Sequence, residues 1–373
     1  MTDAPWLVPQ AAYVHIPFCA HRCGYCDFAI VVGKDHLMVR YLDALEAELE
    51  TLIQPRPVQT LFIGGGTPSH LPEAQLERLL RVLKRWFPLE SDAEYSIEAN
   101  PESLTADKIV LLAQHGVNRV SLGAQSFDPR SLAVLQRSHD PTTIATAVKC
   151  LSGSISQISI DLIFGVPGQT VAHWTDDLDR ALNLGISHIS TYGLTYEKGT
   201  SLWKQRRSGR LIPLTEDDEL TLYQTAIERL TKASFTHYEI SNFALEGRQS
   251  RHNQIYWANY AYYGIGLGAA RYVGGVREVN TRDFDAYLAG RRSWQSEKLS
   301  PLDRARETMA VQLRRAEGIH RVFYRRQTGH DLDAVAPRLA ALVDQGVLID
   351  TSERVFLSAN GKYVADAVIE KLL

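Results

Sequence analysis

Short β-branched runs alternate with amphipathic segments along the first half of the chain, and this order restricts the fold more than any other feature. The strand-like runs cover residues 12–16, 60–63, 94–98, 119–122, 157–164 and 188–194. The helical patterns between them cover residues 37–52, 73–87, 105–114, 141–151 and 171–184. Such alternation predicts a parallel sheet with helices on its outer face, in a barrel or a partial barrel. In that α/β fold the chemistry lies on the loops that follow the strands.

The pattern changes in residues 301–373, where helices precede a hairpin. Helical spacing at 304–315 and 332–345 leads to apolar runs at 347–350 and 355–357, and a last helix begins at Ala359. This order predicts a small winged-helix-like α+β domain. Its 11 basic and 10 acidic residues nearly balance, which disfavours a DNA-reading role. We therefore expect a barrel core at 1–235, a connecting region at 236–300 and a C-terminal domain at 301–373.

Charge and composition narrow the class of protein. The chain has 40 basic and 43 acidic side chains and a formal charge of −3, so it lacks the basic bias of a general nucleic-acid binder. Hydrophobic residues make up 45% of the chain, yet no apolar run reaches the ~18–20 residues that cross a bilayer. Residues 1–5 lack the basic start and apolar stretch of a signal peptide. These features predict a cytoplasmic protein without a membrane span.

Three cysteines lie close together directly after the first predicted strand: Cys19, Cys23 and Cys26. Thiolates are soft ligands, and cysteines this close on one loop can all bind one metal centre. Three thiolates can hold three irons of a four-iron cluster and leave the fourth iron open for a substrate. With 4 cysteines in 373 residues, the composition argues against a disulfide framework.

A structural zinc site is the competing interpretation of these cysteines. Zinc sites usually use two separated ligand pairs, and no second cysteine pair exists here. The remaining cysteine, Cys150, lies alone on a helical pattern and is predicted to be a core residue. His15 or His21 could still supply a fourth zinc ligand, so a zinc-stabilised interaction protein remains an alternative.

Glycine-rich and acidic positions follow the next predicted strands. Residues 64–68 read Gly-Gly-Gly-Thr-Pro, and such glycines either form a tight turn or let the backbone approach a ligand. Glu98 ends the third strand, where its carboxylate can accept hydrogen bonds from a ribose or cap a helix. Asp161 lies inside an apolar strand and therefore needs a partner or a ligand.

The C-x3-C-x2-C spacing resembles that of the radical S-adenosylmethionine (SAM) enzymes, and further strings are similar to one group of them, the oxygen-independent coproporphyrinogen III oxidase family. The similar strings are residues 13–28, 64–69, 96–101, 119–139, 161–170, 192–202 and 238–268, followed by the C-terminal domain. The resemblance implies a partial (β/α)6 TIM-like barrel, a [4Fe–4S] cluster whose open iron chelates SAM, and an electron donor for that cluster. By position it implies SAM contacts by Tyr13, Tyr25, Gly65 and Glu98, and contacts to a second SAM by Gly66, Thr67, Gln125, Arg137 and Asp161.

Two departures from the oxidase point to the haem-chaperone (HemW-type) branch of this family. Phe28 stands where the oxidase carries another cysteine, and the first cluster cysteine is already residue 19, without the oxidase's longer N-terminal extension. The string at 252–257 resembles the haem-binding motif of that branch. The resemblance implies haem contacts by His252, Asn253, Tyr256 and Trp257. A neutral imidazole is a natural ligand of haem iron, and His252 is the predicted axial ligand.

The resemblance thus implies a chaperone that binds haem and passes it to an acceptor apo-protein, such as a respiratory haem enzyme. The alternative is the oxidase itself, which removes propionate carboxyl groups of coproporphyrinogen III as CO2 and yields protoporphyrinogen IX. Neither function requires a nucleic acid as a partner.

Overall fold

The computed structural model of the protein describes residues 4–137, 139–292 and 294–373. Residues 1–3 of the N-terminal segment considered above, and Ser138 within the string at 119–139, lie outside the described residues. No helix in the described residues is both long enough and apolar enough to cross a bilayer.

The strands, in chain order, are β1 Ala11–Ile16, β2 Phe18–Cys19, β3 Val31–Val32, β4 Val58–Gly65, β5 Leu89–Ala99, β6 Arg119–Gln125, β7 Gln157–Phe164, β8 His188–Gly193, β9 Thr236–Glu239, β10 Asn242–Ala244, β11 Tyr262–Ile265, β12 Ala270–Val273, β13 Val276–Val279, β14 Gln295–Glu297, β15 Ile319–His320, β16 Leu348–Asp350 and β17 Arg354–Leu357. The helices are α1 Met38–Leu49, α2 Glu73–Trp86, α3 Ala106–Gln114, α4 Pro129–Leu135, α5 Pro141–Ser152, α6 Val171–Leu182, α7 Ser201–Arg207, α8 Glu216–Lys232, α9 Arg251–Trp257, α10 Phe284–Leu288, α11 Pro301–Gln312, α12 Arg321–Thr328, α13 Leu332–Val335, α14 Leu339–Asp344, α15 Ala359–Tyr363 and α16 Ala365–Leu372.

Six parallel strands form the centre of the main sheet. They lie side by side in chain order, as β1, β4, β5, β6, β7 and β8, with helices in the connections between them. This arrangement confirms the predicted α/β fold. The connecting region lengthens the sheet at both edges, because β11 pairs in parallel with β1 and leads to β12–β14, while β10 and β9 follow β8 in antiparallel.

The helices pack on the sheet through apolar residues that recur every three or four positions in the sequence. In α2, the leucines at positions 76, 79, 80 and 83 are buried and lie on one face of the helix. Thr105 caps α3, since its hydroxyl accepts the backbone N–H of Lys108. The apolar core of the barrel therefore lies between the strands and these outer helices.

Alternate residues of the barrel strands face opposite sides of the sheet. In β4, Leu61 and Ile63 are fully buried in the core that the helices cover. Thr60 and Phe62 face the other side, where the Thr60 hydroxyl bonds to His252 and the Phe62 ring stacks on that of Tyr13. The inside of the barrel is therefore lined by polar and aromatic groups, and these include the candidate site residues.

Residues 301–373 have their own apolar core and a three-stranded antiparallel sheet in the order β15-β17-β16. The pair β16–β17 is the predicted hairpin. The prediction of one helix over 332–345 is wrong, because the chain forms α13 and α14 with a break at Ala336 (φ −118°, ψ 71°). Ala336 precedes Pro337, and the ring of a proline disfavours helical backbone in the residue before it.

Candidate cluster and cofactor site

The three-cysteine loop begins where β1 ends. Cys19 closes the two-residue strand β2 and is buried, whereas Cys23 and Cys26 are half-buried. The loop is held from outside, because the N–H of Gly24 bonds to the carbonyl of Leu135 and the carbonyl of Gly24 accepts the N–H of Leu202. The loop returns through β3, which pairs in parallel with β2. All three thiols are free, at the carboxyl end of the barrel strands.

The donor set fits an iron–sulfur cluster better than a single metal ion. Among the described residues, no three His, Cys, Asp or Glu side chains surround a point where one ion could bind. A four-iron cluster takes each thiolate on a different iron, so its cysteines need not converge on one point. Burial raises the pKa of the Cys19 thiol to about 11 and also raises the pKa of Cys26. The protons of these thiols must therefore be displaced when iron binds.

The side chains considered for zinc are placed elsewhere. The His15 ring is fully engaged, since Nδ1 lies 3.0 Å from the Tyr13 hydroxyl and Nε2 lies 2.9 Å from the Ala29 carbonyl oxygen. His21 is exposed. The prediction that Cys150 is a core residue is wrong, because it lies on an exposed face of α5. The helical spacing of apolar residues predicted that helix but did not show which of its faces carries the cysteine.

The glycine-rich loop after β4 lies directly against the cysteine loop. The N–H of Gly66 bonds to the carbonyl of Ile16, and the N–H of Thr67 bonds to that of Phe18. A Cβ at Gly66 would lie 2.7 Å from the carbonyl oxygen of Pro17, so only glycine allows this approach. Gly65 adopts φ +117°, which also favours glycine. The loop therefore has a close-packing role against the cysteine loop.

Glu98 lies beside the glycine-rich loop at the end of β5. Its Oε2 accepts the N–H of Gly65 at 2.9 Å. The pKa of Glu98 is raised to about 8, mainly by burial and also by the charge of Asp161, although the hydrogen bond from Gly65 lowers it. Burial raises the pKa of Tyr13, and the charge of Glu98 raises it as well, so Glu98 interacts with Asp161 on one side and with Tyr13 on the other. These groups form an acidic region inside the barrel.

We expect Glu98 to make the stability of the ligand-free protein depend on pH. Because the pKa of Glu98 is raised from 4.5 to about 8, its contribution is present below pH 4.5 and is lost as the pH rises through 8. Replacing Glu98 by Gln removes this dependence, so wild type loses free energy of unfolding relative to Glu98→Gln as the pH rises, by at most ~1.4 kcal/mol per pH unit. Urea unfolding of both proteins between pH 5 and pH 9 measures the difference, and a constant difference would contradict the assignment.

The residues that match second-SAM positions lie in two places. Thr67 and Arg137 contact the cysteine loop, with the Thr67 hydroxyl 3.5 Å from Cys19 Sγ and Arg137 Nη1 3.5 Å from Cys23 Sγ. Asp161 lies in β7, where both carboxylate oxygens accept the Ser121 hydroxyl.

Two further predicted SAM residues lie near this group. Gln125 ends β6 with φ +66°, an uncommon backbone conformation for a residue other than glycine. Burial raises the pKa of Tyr25. The nearby Cys23 raises this pKa further, whereas the nearby Arg137 lowers it. The structure therefore brings Tyr25, Thr67 and Arg137 to the cysteines.

The predicted haem motif forms helix α9, and its histidine faces into the barrel. His252 is only 1% exposed. Its Nδ1 lies 2.8 Å from the Thr60 hydroxyl and its Nε2 lies 2.9 Å from the Tyr256 hydroxyl, while the ring stacks on Phe62. Burial lowers the pKa of His252 to about 3, so the imidazole is neutral. Both nitrogens of this neutral ring are thus within hydrogen-bond distance of a hydroxyl group.

The other residues of the motif divide between two faces of α9. Tyr256 faces the barrel with His252, and its ring packs edge-on against that of Tyr262. The Trp257 ring lies under the guanidinium of Arg314, 5.3 Å from its centre, and its Nε1 is buried without a hydrogen-bond partner within the described chain. The backbone N–H of Asn253 bonds to the Ser250 hydroxyl that caps the helix. His252 and Tyr256 therefore contact each other inside the barrel, whereas Trp257 contacts Arg314 of the C-terminal region.

A buried ion pair that was not predicted from the sequence anchors α9. Glu94 and Arg119 are 2% and 3% exposed in their side chains and lie 3.1 Å apart. Glu94 also accepts the backbone N–H groups of Arg251 and His252 at 3.0 Å each. The available signal was a charge within each of two strand-like runs, at positions that face the inside of the barrel.

Comparisons with known proteins identify the family of this chain. The radical SAM superfamily profile matches residues 13–181, and the HemN C-terminal domain profile matches residues 299–364. Heme chaperone HemW of Bacillus subtilis is 34% identical over 98% of this chain and 99% of its own length. Heme chaperone HemW of Escherichia coli is 33% identical, with the same two coverages.

A bovine relative and a solved structure extend these matches. The mitochondrial radical S-adenosyl methionine domain-containing protein 1 of Bos taurus is 33% identical over the whole of this chain and 89% of its own length. The structure of the coproporphyrinogen III oxidase HemN of Escherichia coli superposes with a TM-score of 0.86, covering 100% of this chain and 91% of that one at 24% identity, which concerns the fold alone. The chain therefore belongs to the HemW family of haem chaperones within the radical SAM superfamily.

Proposed function

We propose that this protein binds haem and passes it to an acceptor apo-protein, while it carries a SAM-chelating [4Fe–4S] cluster on Cys19, Cys23 and Cys26. The observation that supports this most is the full-length similarity to proteins named as haem chaperones, in a chain with three free cysteines at the carboxyl end of its barrel. The oxidase alternative has the similarity of fold and the match to the HemN C-terminal domain profile in its favour, whereas the relatives of 33–34% identity that are described above are not named as oxidases. Phe28, at the position of the oxidase's extra cysteine, is 65% exposed beside the cysteine loop.

The cofactors follow from the superfamily, and the residues that would hold them are the ones at the carboxyl end of the strands. Membership of the radical SAM superfamily implies SAM and a [4Fe–4S] cluster. When reduced by a donor protein, such a cluster supplies one electron to bound SAM. Gly65 and Gly66 hold the glycine-rich loop against the His15 ring and the start of the cysteine loop, and Glu98 offers an acceptor for ribose hydroxyls.

Haem ligation by His252 requires that one of the two hydrogen bonds at its ring nitrogens is broken. Iron binds a ring nitrogen through its lone pair, and both nitrogens lie within hydrogen-bond distance of a hydroxyl. The bond to Thr60 comes from a neighbouring strand and the bond to Tyr256 comes from the same helix. His252 is therefore proposed as the axial ligand of a state in which α9 has shifted away from β4.

Haem titration of three variants tests this proposal. We expect His252→Ala to bind haem at least tenfold more weakly, ~1.4 kcal/mol. Thr60→Val removes one competing hydrogen bond and should bind haem more tightly than wild type. Thr60→Ser keeps the hydroxyl and should match wild type. The Soret band measures the affinity and the ligation state of the iron.

The outcomes separate the two parts of the proposal. Equal haem affinity in wild type and His252→Ala would remove His252 from the site but leave haem binding intact. Absence of haem binding by wild type would overturn the chaperone function. Production of protoporphyrinogen from coproporphyrinogen III by anaerobic protein with SAM and a reductant would support the oxidase instead.

A further inference from the structure

A chain of hydrogen bonds links two of the three cysteine sulfurs through one amide side chain. Asn100 Nδ2 donates to the Thr67 hydroxyl oxygen at 3.2 Å, and that hydroxyl lies 3.5 Å from Cys19 Sγ. Asn100 Oδ1 accepts Arg137 Nη2 at 2.9 Å, and Arg137 Nη1 donates to Cys23 Sγ at 3.5 Å. Asn100 therefore lies at the centre of a path from one thiol to another.

The directions of these bonds follow from the chemistry of the groups. A guanidinium only donates, so the oxygen of the Asn100 amide must face Arg137 and its nitrogen must face Thr67. The Thr67 oxygen then accepts from Asn100, which leaves its hydrogen for Cys19. Once Cys19 is a thiolate it can only accept, so every bond in the path has one donor and one acceptor.

Asn100 is held in place independently of the cysteines. Its backbone N–H bonds to the Ser69 hydroxyl at 3.3 Å, and its carbonyl accepts the Ser103 hydroxyl at 2.9 Å. Arg137 has a second fixed partner, since Nη2 also donates to the carbonyl of Gly123 at 2.7 Å. A Cβ at Gly123 would lie 3.2 Å from Asn100 Oδ1, so glycine leaves the room that this arrangement needs.

We propose that Asn100 is a positioning residue that sets the reduction potential of the cluster by holding one hydrogen-bond donor on Cys19 and another on Cys23. Hydrogen bonds to ligand sulfurs stabilise the more negative, reduced cluster and so raise its potential. In this chain Thr67 and Arg137, which match second-SAM positions of the oxidase, serve this purpose. The inference rests on the cluster of the proposed function and does not depend on haem transfer.

Variants of Asn100 and Thr67 with the reconstituted cluster test the inference. In Asn100→Asp an oxygen replaces the amide nitrogen, so the Thr67 hydroxyl turns its hydrogen from Cys19 to Asp. In Thr67→Val that hydrogen is absent, whereas Thr67→Ser keeps it. We expect both Asn100→Asp and Thr67→Val to lower the midpoint potential by at least a tenfold change in the one-electron equilibrium, ~59 mV. Thr67→Ser should keep the wild-type potential.

The double variant separates positioning from simple charge. If Asn100 acts on Cys19 through Thr67, part of the effect of Asn100→Asp disappears when Thr67→Val is already present, so the two shifts do not add. Asn183→Asp makes the same chemical change at an exposed position after α6 and should leave the potential unchanged. Spectroelectrochemical titration gives the potential, and the Fe–S(Cys) frequencies in resonance Raman spectra report the hydrogen bonds directly.

Three results would overturn the inference. Fully additive shifts would mean that the Asp charge acts alone, and an unchanged potential in Thr67→Val would mean that its hydroxyl does not act on the cluster. In both cases, the proposed function would stand as long as the wild-type protein still binds the cluster. A wild-type protein that binds no cluster after anaerobic reconstitution would overturn the inference and the cluster part of the proposed function together.

Discussion

Replacing any one of Cys19, Cys23 or Cys26 by Ala abolishes the [4Fe–4S] cluster, and this is the largest effect that we expect of a single substitution. Two thiolates hold only two of the four irons, so each of these variants lacks one of the three protein ligands that the cluster needs. Anaerobic reconstitution followed by iron and acid-labile sulfide analysis measures the result. Wild type should contain four irons per chain in this cluster.

Cys150 provides the matched control. It is the fourth cysteine of the chain, it is exposed on α5, and it lies outside the three-cysteine loop. Cys150→Ala should therefore keep the iron and sulfide content of wild type. Stoichiometric zinc without sulfide in wild type would contradict the cluster and favour the zinc-stabilised alternative.

Replacing Glu94 by Gln destabilises the protein by ~3–5 kcal/mol, because it leaves the Arg119 charge buried without its partner. The pair is almost fully buried, so water cannot take the place of the lost carboxylate beside Arg119. The same substitution weakens the acceptor that holds the first N–H groups of α9. Urea unfolding of the cluster-free protein, followed by tryptophan fluorescence, measures the loss.

An exposed ion pair and a double variant serve as controls for this prediction. Arg180 and Asp176 form a pair on α6 at 2.8 Å with more than half of each side chain exposed, so Asp176→Asn should cost at most ~1 kcal/mol. Replacing Glu94 and Arg119 together by glutamine should cost less than Glu94→Gln alone, since no unpaired charge remains and residue 94 keeps an oxygen that can accept the α9 N–H groups. If Glu94→Gln were as harmless as Asp176→Asn, the buried pair would not anchor the structure.

The order of strands and helices in the barrel was predictable from sequence because each layer has one apolar side. The strand at Gln157–Phe164 was predicted with its observed bounds, since five of its eight residues are isoleucine, leucine or phenylalanine. The break at Pro337 was not predicted, because the apolar spacing continues across it. The strands of residues 236–300 were also missed, because they are short and owe their pairing to the barrel edges.

The three-cysteine loop could be identified from the sequence because its cysteines are close together in the chain. The path through Asn100 could not, because it joins four separate segments and depends on which way one amide faces. The burial of His252 was equally hidden, since its partner Thr60 is far away in the chain. A motif indicates which side chains belong together but does not give the hydrogen bonds that a fold adds to them.

Two paired strands connect helix α9, at one end of the barrel, with the cysteine loop at the other end. Helix α9 leads within a few residues to β11, whose Tyr262 and Ile265 pair with Ala11 and Val14 of β1. Strand β1 in turn runs directly into Cys19. We therefore expect the α9 shift proposed for haem ligation to strain the pairing of β11 with β1, the strand that leads into the cysteine loop.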